Sequence, residues 1–196
     1  MFRLFTEHAR GAWVVIWPVL AIGWLFFAFQ LTGIWIELGA AQSSVPGETL
    51  WLQQAPWFTP AEAQTAFDNI RAEGAEATAN AAYILDFIFI PLALMGTGAP
   101  IAFGLRQLGW ARGVGRFLLL APYIHFFADG IETALIAAAF SMNAAEPPVW
   151  LTTAGTATAI KMPAYAVAAG LAAAGLVIGT ALAAFKRADK ALRVHD

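Results

Sequence analysis

Residues 117–140, FLLLAPYIHFFADGIETALIAAAF, are long enough to cross a bilayer, yet they carry His125, Asp129 and Glu132. At helical spacing these three fall at i, i+4 and i+7, on one face. A charge at mid-membrane costs from about 2.5 to more than 10 kcal/mol. That face must therefore look into protein or water, and other helices have to supply its partners.

Three more apolar runs are available to do so, at about 12–36, 80–105 and 156–185. The chain is 60% hydrophobic and 12% charged, against about 25% charged in a soluble domain, which argues against a water-soluble fold. The first run is ~24 residues, beyond the 7–15 of a secretory signal core, and reads as a spanning helix behind a short polar start. Absence of cysteine removes disulfides, thiol nucleophiles and thiolate metal sites. No basic run suggests nucleic acid. The expected fold is all-α, a single four-transmembrane-helix domain over 1–196.

The one long connection, 37–79, contains Thr59-Pro60-Ala61-Glu62, the form of a capping box with proline in the first helical position. Ala63, Ala66, Phe67 and Ile70 follow at helical spacing, so a short amphipathic helix is expected over about 60–73, acidic face outward, covering the ends of the spans. Pro91 is expected to kink the second span. Gly175-x-x-x-Gly179 in the last run permits close helix contact, which in so Ala-rich a helix reads as packing within the bundle rather than dimerisation.

Orientation follows from the cations. Arg3, Arg10, Arg106, Arg112, Arg116, Lys186, Arg187, Lys190 and Arg193 fall on one side, whereas the opposite loops hold only Arg71. This bias places both termini in the cytoplasm and the long loop in the periplasm of a bacterial inner membrane. Trp35, Trp51, Trp57 and Trp150 would belt the outer interface, and Trp13, Trp17 and Trp110 the inner one.

Counting a rise of ~1.5 Å per residue from the outer helix ends puts Gln30, Asp86, Glu132 and Lys161 at one level, about 9–14 Å below the outer surface. Tyr83 and Thr158 stand just above this layer; Asp129, Tyr165 and His125 continue it inward. Lys161 is expected to pair with Asp86 or Glu132. Asp129, the deepest carboxyl, is expected to carry a proton, since three carboxylates outnumber one lysine. A shared proton, a bound cation or a cationic ligand would each resolve that imbalance. His125-x3-Asp129-x2-Glu132 with no second His or Cys makes no convincing metal site, and no cofactor is implied.

Tyr83-x-x-Asp86-x-x-Phe89-x-Pro91, Ala128-Asp129-x-x-Glu132 and Lys161, together with the capped acidic helix, resemble an uncharacterised, widespread family of small four-helix bacterial membrane proteins. The resemblance covers roughly Thr59 to Tyr165. The family typically has Asn after the glutamate of the third helix, where this chain has Thr133. The resemblance implies a fold and a set of polar positions; it supplies no reaction.

Two functions of different class fit these features. One is an accessory or scaffold subunit of a larger inner-membrane assembly, whose polar layer holds the bundle together. The other is a lipid- or small-molecule-binding membrane protein, an enzyme included, that uses the layer as an outward-facing site. Membrane lipids and other membrane subunits are the expected partners. A scaffold predicts a dry, mutually satisfied cluster, and a binding protein predicts a cavity with an unfilled polar wall.

Overall fold

The computed structural model describes residues 2–43, 52–144 and 146–192. Trp51 and Arg193, and the side chains of Arg3 and Arg112, lie outside that description. The described residues form an all-helical structure: α1 (Phe2–His8), α2 (Trp13–Phe26), α3 (Ile34–Gln42), α4 (Pro60–Ala72), α5 (Glu76–Gln107), α6 (Leu120–Met142) and α7 (Leu151–Leu192), joined by short 3₁₀ or π turns. Four of its segments, Trp13–Leu31, Glu76–Gln107, Gly115–Met142 and Leu151–Ala191, are long and apolar enough to cross a membrane.

Several boundaries differ from those expected. The first span ends at Leu31 in a π turn, Phe27–Leu31, and Gly33 then breaks the helix with φ of 67°. Only glycine adopts that left-handed conformation without strain. The next residues, expected as loop, form α3. The polar start is also helical, because Phe5 and Ala9 are one turn apart and both buried. The last helix starts at Leu151 rather than near 156 and runs to Leu192. Helix α5 continues through Pro91 and Pro100 without interruption.

The residues gather into two compact units. The first comprises 1–21, 92–123 and 164–196. Here small residues let helices meet main chain to main chain. A Cβ built on Gly104 of α5 would lie 2.7 Å from Cα of Gly175 on α7, and one built on Gly175 would strike the Pro100 carbonyl. Gly179 likewise faces the Phe103 ring, so the Gly175-x-x-x-Gly179 spacing serves contact within the chain. Helix α1 packs through Phe5, whose ring covers Gly98 and lies 5.1 Å from that of Tyr123. Two cations close helix ends: Lys186 Nζ donates to the carbonyl of Gln107, the last residue of α5, at 2.9 Å, and Arg106 reaches the Ala9 carbonyl at 3.4 Å.

The second unit comprises 22–91 and 124–163. Its apolar core includes Leu38, Phe58, Phe67, Ile70, Ile136 and Phe140. Helix α4 buries Ala63, Ala66, Phe67 and Ile70 and leaves Glu62 and Asp68 in solvent. Arg71 at its end donates to the carbonyl of Phe140 at 3.1 Å, in the last turn of α6, with its guanidinium 5.2 Å from the Phe140 ring centre. Just before α4 the Trp57 N–H donates to the Gly155 carbonyl at 3.0 Å, and a Cβ on Gly155 would run into the backbone of Phe58.

The start of α4 is determined locally. The Thr59 N–H donates to Glu62 Oε2 at 2.7 Å, while the Glu62 N–H donates to Thr59 Oγ1 at 3.2 Å. The Thr59 hydroxyl also donates to Glu62 Oε2, at 2.8 Å; the Thr59 N–H and then this hydroxyl favour the ionised glutamate and hold the Glu62 carboxyl below its ordinary value. A group with a depressed folded-state pKa stabilises above its unfolded pKa and loses that contribution as pH falls through the folded one. Helix α4 should therefore fray in acid below the usual carboxylate range. Thr59→Ala should cost about 1 kcal/mol and flatten that acid dependence, as followed by hydrogen exchange at Ala63–Phe67.

Candidate functional site

The ionisable residues of the long helices meet in the second unit. Helix α5 brings Tyr83 and Asp86, one turn apart; α6 brings His125, Asp129, Glu132 and Thr133; the first turns of α7 bring Thr158 and Lys161. All eight side chains are buried, and Glu132, Thr133 and Thr158 have no exposed surface. The helical period explains the α6 set, since positions 125, 129 and 132 recur on one face.

Lys161 is the hub. Its Nζ donates to Asp129 Oδ1 at 2.7 Å and also contacts Glu132 Oε2. The other Glu132 oxygen accepts from the Thr158 hydroxyl at 2.5 Å. One glutamate thereby ties α6 to α7 through both of its oxygens. From the position after Glu132 on α6, the Thr133 hydroxyl donates to Asp86 Oδ2 and ties α6 to α5. The imidazole of His125 stands with Nε2 3.7 Å from Asp129 Oδ2. Tyr83 packs its ring edge-on to Phe140 at 5.9 Å, and its buried hydroxyl has no hydrogen-bond partner among the described residues.

Of the two partners expected for Lys161, Asp86 or Glu132, the structure pairs it with Glu132; it takes Asp129 as a second, unexpected partner, and Asp86 is served by a threonine. The carboxyl expected to stand apart with a proton, Asp129, is the one that the lysine reaches at 2.7 Å. Of the other expected members, Gln30 is exposed on the π turn after α2, and Tyr165, one turn after Lys161 on α7, is half-buried.

The residues that sequence reasoning undervalued are Thr133 and Thr158. The first was noted only as a departure from the resembled family; it places a hydroxyl donor on a buried carboxylate. Buried carboxylates need donors, and a threonine on the charged face of a neighbouring turn is the signal that could have identified both. Thr133→Val keeps the shape and removes the donor, so it should destabilise by about 1–3 kcal/mol; Thr133→Ser should recover most of the loss, as read from thermal melts in detergent.

Apart from the Tyr83 hydroxyl, the polar groups named here find partners within the set. Ammonium, hydroxyls and carboxylates are bonded to one another across three helices, and no group of three or more His, Asp or Glu among the described residues is arranged to hold a metal ion. Such a cluster can fix the register of helices where apolar contact cannot, because polar atoms without partners are costly away from water. Compared with protein-family models, curated proteins and solved structures, the chain matches none.

Proposed function

We propose that this chain is an integral protein of the bacterial cytoplasmic membrane that serves as an accessory or scaffold subunit of a larger membrane assembly. The Asp129–Lys161–Glu132–Thr158 cluster, with Asp86 on Thr133, is the observation that carries the reading: its charged groups are paired with one another and join three helices. Membrane residence is supported by the exposed apolar faces. Only 17% of the apolar windows of the first and last spans is buried, against 72% in α5, and their outward residues include Ile22, Leu31 and Val177. The distribution of Lys and Arg supports cytoplasmic termini, with α4 and its flanking segments in the periplasm. Likeness to the four-helix family named above belongs to the same proposal.

The test is gentle purification from the native membrane followed by mass spectrometry of everything retained. Other membrane subunits at fixed stoichiometry are the expected result. A lone chain retaining one defined lipid or metabolite, released by Asp86→Asn or Glu132→Gln, would overturn it and make the layer a binding site.

A further inference from the structure

The two units differ sharply in charge. By sequence the first holds nine Lys or Arg and three Asp or Glu, whereas the second holds two and ten. Excess positive charge in one unit of a nearly neutral chain, −2 in total, needs an anionic counterpart. Lys186 is held on the end of α5 and Arg106 on the carbonyl of Ala9. Arg10, Arg116, Arg187 and Lys190 have exposed side chains.

These cations do not stand in a polar surface. Phe117 follows Arg116 and is 66% exposed; Phe185 precedes Lys186-Arg187 and is 72% exposed; Trp110, in the turn between α5 and α6, is 57% exposed. An acidic protein or nucleic acid would match the charge but leave these rings in water. Cations interleaved with large apolar rings, at the ends of apolar spans, match a boundary where phosphate lies beside acyl chains. The length of α7 fits that placement. Its 42 residues cover about 63 Å, roughly twice the hydrocarbon thickness, enough for its basic end to clear the hydrocarbon and reach the headgroup region.

We infer that the turn between α5 and α6 and the basic end of α7, with Arg10, form a collar that binds anionic phospholipid, taking the phosphodiester on Arg10, Arg116, Arg187 and Lys190 and the adjoining acyl chains against Trp110, Phe117 and Phe185. This rests on the membrane reading above and adds a lipid class to it. The collar would hold an annulus of acidic lipid around one end of the protein.

The test uses the full chain reconstituted in vesicles of phosphatidylcholine alone and of phosphatidylcholine mixed with phosphatidylglycerol. Native mass spectrometry of detergent-purified protein titrated with each lipid then gives relative affinities. Phosphatidylglycerol should be retained in preference to phosphatidylcholine, the preference should fall as salt rises, and each of R10Q, R116Q, R187Q and K190Q should weaken it roughly fivefold. The fourfold variant should keep its melting temperature in phosphatidylcholine, because none of these four is assigned to the buried cluster. Equal retention of both lipids by the wild-type chain would overturn the collar even if the variant fails to fold, as would displacement of the acidic lipid by an acidic peptide at low concentration. Failure to enter phosphatidylcholine vesicles would overturn the membrane reading and the collar with it; normal entry with no lipid preference would overturn the collar alone.

Discussion

Lys161→Met will lower stability by about 3–5 kcal/mol, the loss expected when one partner of a buried ion pair is removed and the other stays. Among the described residues the lysine is the only cation within ion-pair distance of Glu132, and Asp129 has besides it only the imidazole of His125 at 3.7 Å. Methionine fills much of the same volume, so the loss would come from charge rather than from a cavity. Thermal melting in mild detergent measures it. Lys161→Met combined with Glu132→Gln and Asp129→Asn should regain much of the stability, since neither of the lysine's two partners is then left charged beside methionine. An unchanged melting temperature in the single variant would remove the lysine from its role as hub. Recovery in the triple variant, if absent, would show that amides cannot replace the bonds to Thr158.

Gly175→Val is expected to be the next most damaging change, at about 3 kcal/mol, toward the upper end for overpacking. The first added carbon would meet the Pro100 carbonyl, which as main chain cannot swing aside. The helices would have to separate locally, breaking the Gly179 contact with Phe103 as well. Gly170 provides the internal control. It lies on the same helix with nothing within 4 Å of a built Cβ, so Gly170→Ala should be neutral or slightly stabilising through helix propensity. Equal melting temperatures for Gly175→Val and the wild type would contradict the close approach.

How far these features could be read from sequence depends on how local their causes are. Helix α4 was legible almost to the residue, because Thr59, Pro60 and Glu62 settle its start among themselves. Asp86, Glu132 and Lys161 were legible as one level, with Asp129 inward of it, because ionisable groups in apolar runs have few places to go. Their pairing was not, since depth says nothing of rotation about a helix axis, and only rotation decides whether Lys161 meets Asp86 or Asp129. Gln30 shows the same limit. A π turn takes up an extra residue and shifts the faces that follow, and nothing in Phe27–Leu31 announces it. Helix α1 was hidden by its charges; the single pair Phe5 and Ala9 is too short a pattern to declare a buried face.

On the membrane reading proposed above, the cluster also bears on how the chain would be put into a bilayer. Asp129 and Glu132 would each oppose partitioning of α6 by about 2.5–3.5 kcal/mol on the insertion scale, and both find their cation on α7. That lysine is synthesised only after all of α6 and the turn behind it. An isolated α6 would therefore linger at the translocon until its successor arrives, and the last two helices would enter the lipid together, as one hairpin with the lysine already set between the two carboxylates along its inner seam.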